Sequence, residues 1–465
     1  MIARGQTLAV FQAESRAQVS TLPLLQPRTF DDLAIAASII RPGPIQAGSK
    51  NPLLRRRRGE EPVTYPHPLA RRALETTLGV CLWQEQAMML AVDCADFSPG
   101  DADRLRKAMA AKHSVEKVAQ LRGRLMDGMA RNNIPRPAAE QITAMIEAFS
   151  DYGFPQSHAQ SMAHLIYASA WIKLYYPAAL LAATLAHQPM GFYDSQSLIQ
   201  EAKRLGITVR GVDIQHSEVH STLEPDPDST GTRAIRRGLT SVTGLSPETA
   251  RTIVAARAER PFDSLEDVAR RTRLPARLME RLAAAGTFDA FGEHRRSALW
   301  TAGAFPRELQ PYLPGLGALA LAPDLPVMTP AEQTAADLAT TGASADIHPV
   351  QHVRARLACS GAVPAAAVRE MADQERVRIG GLAKYLQRPP TARGVAFGVL
   401  EDESGMTNLV FSPPVWERCR RTLIDAMAVV LDGHVERAYD VVNVVVHDVR
   451  PLTVPSPARR RGHRR

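Results

Sequence analysis

The spacing of apolar and polar positions divides the chain into a long helical part and a shorter strand-rich end. From Leu78 to Lys112 it reads LGVCLWQEQAMMLAVDCADFSPGDADRLRKAMAAK. Val80, Leu82, Trp83, Met88, Met89, Leu90 and Val92 drift between a period of 2 and one of 3.6, which predicts a short strand entering a helix. Ser98-Pro99-Gly100-Asp101 then opens a second helix: the serine suits an N-cap, the proline the first turn, and Asp101 and Asp103 the positive end of the dipole. That helix carries Arg104, Arg106, Lys107 and Lys112, a cationic face suited to a polyphosphate. Acid first and base last is also what helix electrostatics alone favours. The opening MIARGQTLAVFQAESRAQ alternates like a strand. Residues 114 to 150 read as two helices broken at Asn132-Asn133-Ile134-Pro135. From Ser157, the positions Met162, Leu165, Ile166, Ala170 and Leu174 recur at helical spacing until Pro177 restarts the helix.

Residues 238–257, GLTSVTGLSPETARTIVAAR, space Leu239, Val242, Leu245, Ala250, Ile253 and Val254 as a core around a short hairpin, Gly244-Leu245-Ser246. Pro247 and Glu248 open the helix after it. This is the helix-hairpin-helix pattern, in which hairpin N–H groups and the next helix N-terminus hold one DNA phosphate. Gly244, Leu245, Ser246, Thr249 and Arg251 are its candidate contacts; Ser246 replaces the usual second glycine. A related half follows, from Phe262 to Leu265, Leu278 and Leu282 through Ala285 to Gly292. Residues 302–350, rich in Ala, Pro and Thr, read as a linker with one short helix around Ala331 to Ala339. From Arg376 the period changes to that of short strands, with a turn at Ser404-Gly405 and a helix, Val415 to Asp425, between strands three and four. That order suggests an OB-type barrel. Tyr385, Phe397 and Phe411 either stack bases on its open face or fill it. The tail from Arg459 to Arg465 reads as disordered and adds non-specific phosphate affinity.

Composition sharpens this only modestly. The 465 residues suffice for about three domains at roughly 150 residues each. Fifty-six basic against 48 acidic residues leave a net charge of +8, which favours a nucleic acid or another anionic partner. Cys81, Cys94, Cys359 and Cys419 show no CxxC spacing, so neither a disulfide framework nor a zinc knuckle is expected, and a reducing cytosol fits. No leader and no membrane-length apolar run is read. Arg55 to Arg58 form a basic run, either a solvated loop or a phosphate contact. His158 and His164 fall on different helix faces and read as core or capping residues. His216 and His220, four apart, would share a helix face but lack a carboxylate-rich partner site.

In this order the parts resemble the bacterial C-family DNA polymerases, the replicative polymerase III alpha subunit and its error-prone relative. The matching stretches are Thr7 to Arg16 (TLAVFQAESR), Arg41 to Gln46 (RPGPIQ), Gly79 to Gln86 (GVCLWQEQ), Leu105 to Met109 (LRKAM) and Tyr152 to Ala159 (YGFPQSHA). Gln188 to Tyr193 (QPMGFY) looks like the error-prone branch. The resemblance implies a multidomain, mainly α fold followed by a small all-β OB-type barrel. Its parts would be the end of the palm and start of the fingers at 1–50 and helical fingers at 51–205. Tandem helix-hairpin-helix DNA binding at 206–300, a linker at 301–374, the OB-fold at 375–450 and a basic tail at 451–465 would follow. The implied activity is template-directed nucleotidyl transfer in damage-induced mutagenic synthesis, with Mg²⁺ as the cofactor of the complete enzyme.

The family's metal-binding palm aspartates would lie upstream of Met1. Two-metal catalysis needs carboxylates holding ions roughly 3.5–4 Å apart. Asp101 and Asp103 sit in a helix first turn facing apart, and Asp226 and Asp228 flank a proline in a loop. The chain is therefore expected to hold no metal and to be inactive alone. By position, Arg106 and Lys107 match the paired basic residues of the family's finger helix, with Arg104 and Lys112 beside them as nucleotide-binding candidates. Lysine at 107, where arginine is common, removes a bidentate fork. The implied partners are primer–template and single-stranded DNA, dNTP, a separate palm-containing chain, a sliding clamp or other mutagenesis proteins, in the cytoplasm and with no membrane. The alternatives are a non-catalytic DNA-binding scaffold of repair complexes and one half of a split polymerase.

Overall fold

Helix caps, rather than alternation, decide how the N-terminal residues fold. Ser15 accepts the Gln18 N–H and starts helix Arg16–Leu25, while Thr29 and Asp32 form a reciprocal capping box that starts helix Phe30–Ile39. The alternating stretch before them is not a strand: it is a 3₁₀ turn at Ile2–Arg4 and successive tight turns, with Ala9 and Gln12 at positive φ. The computed structural model describes residues 1–41, 50–109, 114–148, 154–305, 323–389, 392–438 and 441–456. They belong to two units, Met1–Leu174 and Tyr175–Arg465.

Among its described residues the first unit contains helices joined by turns and no strand. The strand expected near Val80 is also absent. In place of a sheet neighbour, the Gln86 side chain accepts the N–H groups of Leu82 and Trp83 at 2.8 and 3.1 Å, and it donates to Ala73 O and Thr77 Oγ1. One buried amide thus satisfies backbone that a ladder would otherwise pair. Helix Gln84–Ala95 then packs with Pro99–Met109, Ser114–Arg131 and Arg136–Glu147 around Leu90, Cys94, Leu105, Leu125, Met129, Ile142 and Ile146. Helix Ser114–Arg131 comes so close to the end of Gln84–Ala95 that a Cβ on Gly128 would lie 2.1 Å from Ala95 O. The expected break at Asn132–Pro135 is present, with Asn133 in the left-handed region. A second core joins helices Phe30–Ile39 and Gln156–Tyr175 through Ile39, Leu82, Phe154, Ala163 and Ile166, and Trp83 Nε1 donates to Ser38 Oγ at 2.8 Å.

In the second unit, helices Pro177–Ala186 and Ser195–Arg204 precede a small sheet of β1 (Val209–Arg210), β2 (Thr222–Pro225) and β3 (Arg233–Arg236), in the order β1-β3-β2. The hairpin region follows, with a core of Leu239, Val242, Leu245, Ile253, Phe262, Val268, Leu274, Met279, Leu282 and Phe288. Within the segment read as a linker, helix Pro330–Thr341 is opened by a Thr329–Glu332 capping box and fixed by Arg295 on Asp337 at 2.6 Å. Buried Arg237 donates to Thr341 Oγ1, Thr341 O and Ala343 O, so this part is packed structure. Small Ala and Thr side chains there serve close packing as well as they would serve a loose chain.

The C-terminal strands are β4 (Arg376–Gln387), β5 (Ala396–Glu401), β6 (Met406–Phe411), β7 (Ala428–Ala438) and β8 (Val441–Leu452). They close as β4-β5-β6-β8-β7, with β6 parallel to β8 and helix Pro413–Asp425 between the third and fourth strands. The expected OB-type order is present. No single helix among the described residues is long and apolar enough to cross a membrane. The tail from Arg459 lies outside the described residues.

Candidate nucleic-acid interface

The first hairpin is anchored by its apolar residues and exposes its polar ones. Val242 and Leu245 are buried, and Leu245 N–H bonds Val242 O at 3.0 Å. Leu245 is therefore an anchor, not the contact expected of it. Gly244 between them has φ 85, a conformation that costs a residue with a Cβ roughly 1–2 kcal/mol. Ser246 caps helix Pro247–Glu259 by accepting Thr249 N–H at 3.1 Å, which also consumes the Thr249 donor. Gly244, Ser246 and Glu248 are exposed, and among the described residues their N–H groups have no protein acceptor. Free donors at the positive end of a 13-residue helix suit an anion. Arg251 lies exposed on the same helix. Two neighbours hold the hairpin: Thr243 N–H donates to Thr340 O at 2.7 Å, and Arg281 Nη1 donates to Thr243 O at 2.6 Å.

The second hairpin lies between helices Leu265–Thr272 and Ala276–Ala284, ahead of the 285–292 segment that the sequence emphasised. Arg273 holds the left-handed position and Pro275 stands at the N-cap. Here the sequence reading missed the turn, because Arg273-Leu274-Pro275 contains no glycine to mark it.

On helix Pro99–Met109 the structure brings Arg106 and Lys107 together on one carboxylate, each 2.8 Å from Asp103. Arg104 turns instead to Asp101 at 2.7 Å, which Arg124 also meets at 3.1 Å. The Ser98 hydroxyl, with Arg124 next, holds the Asp101 carboxyl down at about 2. Lys107 and then Arg106 likewise hold Asp103 below its usual value. Exposed pairs of this kind contribute only about 0–1 kcal/mol, so a phosphate can displace them. Lys112 lies outside the described residues.

The basic run is used internally: Arg55 and Arg56 pair with Glu61, Arg57 with Asp32 and Arg58 with Glu60. Arg55, Arg56 and Arg57 end helix Lys50–Arg57, so the run is not a solvated loop.

The same pairs decide whether Mg²⁺ fits these carboxylates. Asp101 and Asp103 are closed by cations, and Asp226 is engaged by Arg210 and by the Asp228 N–H. They do not fit a two-metal site. Among the described residues, no three His, Cys, Asp or Glu side chains converge as a metal-binding group. His216 and His220 lie in turns, not on one helix face.

The barrel aromatics are placed differently from expectation. Phe411 is fully buried, edge-on to Trp416 at 5.9 Å, and offers no face to a base. Phe397 is half-buried. The Tyr385 hydroxyl faces inward, accepting Asp194 N–H at 3.2 Å and sharing a hydrogen bond with Ser197 Oγ at 2.9 Å; burial first of all pushes its phenol up to about 12. Its neighbour Lys384 belongs to a buried charge network that the sequence did not reveal. Lys384 Nζ lies 2.9 Å from Asp194 and 3.3 Å from Glu401, while Ser197 Oγ donates to Glu401 and His348 Nε2 stands 3.7 Å from it. Burial alone would raise the Glu401 carboxyl, but Lys384, His348 and Ser197 outweigh it and hold the group at about 2.

Comparison with known proteins agrees with this architecture. Residues 1–133 match the bacterial DNA polymerase III alpha subunit finger domain, and residues 206–298 match a helix-hairpin-helix motif. All of the chain aligns at 46% identity with an error-prone DNA polymerase of Mycobacterium bovis, covering 42% of that protein. A Nocardia farcinica error-prone DNA polymerase aligns at 44% identity with all of the chain and 41% of its own length. One from Anaeromyxobacter sp. aligns at 44% identity with 98% of the chain and 40% of its own length. The chain thus spans about 42% of the length of the curated relatives it matches. It joins a region that matches the DNA polymerase III finger domain, one that matches a helix-hairpin-helix motif and a closed β-barrel, and along its whole length it is similar to the error-prone DNA polymerases.

Proposed function

We propose that the chain is the DNA- and nucleotide-holding portion of an error-prone DNA polymerase, acting in template-directed, damage-induced synthesis in the cytoplasm. The observation that carries this reading is the first hairpin, where exposed Gly244, Ser246 and Glu248 leave their N–H groups without a protein acceptor among the described residues at a helix N-terminus. Such a grip takes a phosphate without reading a base, as a polymerase travelling along any template requires. The finger helix contributes Arg106 and Lys107, which would exchange Asp103 for the triphosphate of a dNTP. The Mg²⁺ ions would be held by palm carboxylates other than Asp101, Asp103 and Asp226, which are engaged by arginine and lysine.

Equilibrium binding of the full chain to a fluorescent primed duplex tests this. Glu248→Pro removes one exposed N–H, and helix Pro413–Asp425 shows that a helix of this chain accepts two prolines at its start. Compared with Glu248→Gln, the proline variant is expected to bind about tenfold more weakly, the loss of one charge-assisted bond of about 1.5 kcal/mol. Equal affinities would count against the hairpin grip. The closed state of Asp101 and Asp103 also favours a second reading, a non-catalytic DNA-binding scaffold. Adding a palm-containing fragment separates the two: recovered primer extension supports the polymerase, and binding without any restored extension supports the scaffold.

A further inference from the structure

The two hairpins share one backbone plan but carry different chemistry. Gly244 and Arg273 both adopt the left-handed conformation, at φ 85 and 52. Leu245 and Leu274 are both buried behind them, and Ser246 and Pro275 both stand at the N-cap. At the first hairpin, Gly244 and Ser246 leave exposed N–H groups. At the second, Arg273 N–H is bonded to Ala269 O at 2.9 Å, and Pro275 has no N–H at all. The amide donors at those two positions are lost.

In their place the second hairpin presents guanidinium groups. Arg273 occupies the turn, and Arg277 and Arg281 follow four residues apart on one face of helix Ala276–Ala284, about 6 Å along its axis. Arg273 and Arg277 are exposed, and among the described residues neither has a carboxylate or carbonyl partner. Arg281 bonds only Thr243 O among them, and it lies against the first hairpin: a Cβ built on Gly244 would sit 1.8 Å from its Nη1. The neighbouring arginines show the contrast. Arg260, Arg270 and Arg271 are all closed on Asp267, and Arg260 also on Asp263. Cations left without a carboxylate beside a hairpin, with Arg251 exposed on the first hairpin's own helix, suit the path of a polyanion.

We propose that Arg273, Arg277 and Arg281 form a guanidinium track that carries one DNA strand's phosphates from the second hairpin to the amide grip of the first. The two hairpins then act unequally, one through backbone donors and the other through side-chain charge. The proposal rests on reading the first hairpin as a phosphate grip.

Duplex affinity of the full chain, measured from 50 to 300 mM salt, tests it. Each phosphate neutralised contributes about −0.9 to the slope of log K against log salt. Arg273→Ala with Arg277→Ala touches no internal contact, so the fold is retained, and its slope is expected to be shallower by about 1.8. Adding Arg281→Ala takes the difference to about 2.7, and lysine at all three positions restores the slope. A slope unchanged in the double-alanine variant, while Glu248→Pro still weakens binding, would overturn the track and leave the first hairpin intact. Absence of salt-dependent binding by the unaltered chain would overturn both.

Discussion

Replacing Gly244 by alanine tests the hairpin's construction most sharply, because two separable costs meet there. The left-handed φ of 85 costs alanine roughly 1–2 kcal/mol. Its Cβ would also lie 1.8 Å from Arg281 Nη1, so the guanidinium must leave and its bond to Thr243 O is lost. Hydrogen bonds to charged groups contribute about 1.5–3 kcal/mol, and half-exposed Arg281 belongs at the low end, about 1.5. Gly244→Ala is therefore expected to cost about 2.5–3.5 kcal/mol, and Arg281→Ala alone about 1.5. With Arg281 already gone, the alanine Cβ meets no guanidinium. The double variant should then match Gly244→Ala alone, a coupling of about 1.5 kcal/mol. Native-state hydrogen exchange at the Ile253 amide, inside helix Pro247–Glu259, reads the local opening free energy for all four proteins. Costs that simply add, giving a double variant near 4–5 kcal/mol by the same reckoning, would refute the argument.

The buried network gives a second test. Lys384→Met strands the Glu401 charge and should cost the barrel about 3–5 kcal/mol, most of it recovered by adding Glu401→Gln, as read by urea unfolding. The same pair sets an acid limit. Glu401 is held at about 2 when folded, below the ordinary value of about 4.3, so its stabilisation is present above that value and fades as pH falls from about 4.5 to about 2. Unfolding measured across that window should lose this dependence in Glu401→Gln. Phe411→Ala should destabilise the barrel by about 3–5 kcal/mol while leaving duplex affinity unchanged at low temperature, since the ring fills the core and is not a stacking surface. Arg106→Ala with Lys107→Ala should weaken dNTP binding to a chain–primed-DNA complex by about 10–100-fold in calorimetry, the loss of one or two charge-assisted contacts. An unchanged dNTP affinity would separate the finger helix from nucleotide binding.

Local signals were legible in the sequence wherever the residue itself dictates the backbone. Pro135, Pro177, Ser246-Pro247 and the short strands after Arg376 all fall where expected. The barrel order followed from strand count and the inserted helix. What could not be read locally was any feature decided by a distant partner. Val80 to Trp83 looks like a strand, but the Gln86 amide satisfies its backbone. Phe411 and Phe397 are alike in sequence, yet strand register buries the first fully and the second only in part. The Lys384–Glu401–Asp194 network spans about two hundred positions and has no local trace. Charge runs misled for the same reason. Arg55 to Arg58 stand out in the sequence but each has a carboxylate partner, whereas Arg273, Arg277 and Arg281, spread four apart, have none among the described residues.

Amide hydrogen exchange of residues 243–249, with and without a saturating primed duplex, shows whether the first hairpin grips the DNA backbone through its main-chain donors. The amides of Gly244, Ser246 and Glu248, without an acceptor in the free chain, are expected to gain protection on binding, while the Leu245 amide, already bonded to Val242, changes little. A chain that binds the duplex with those three amides exchanging as fast as before would contradict it.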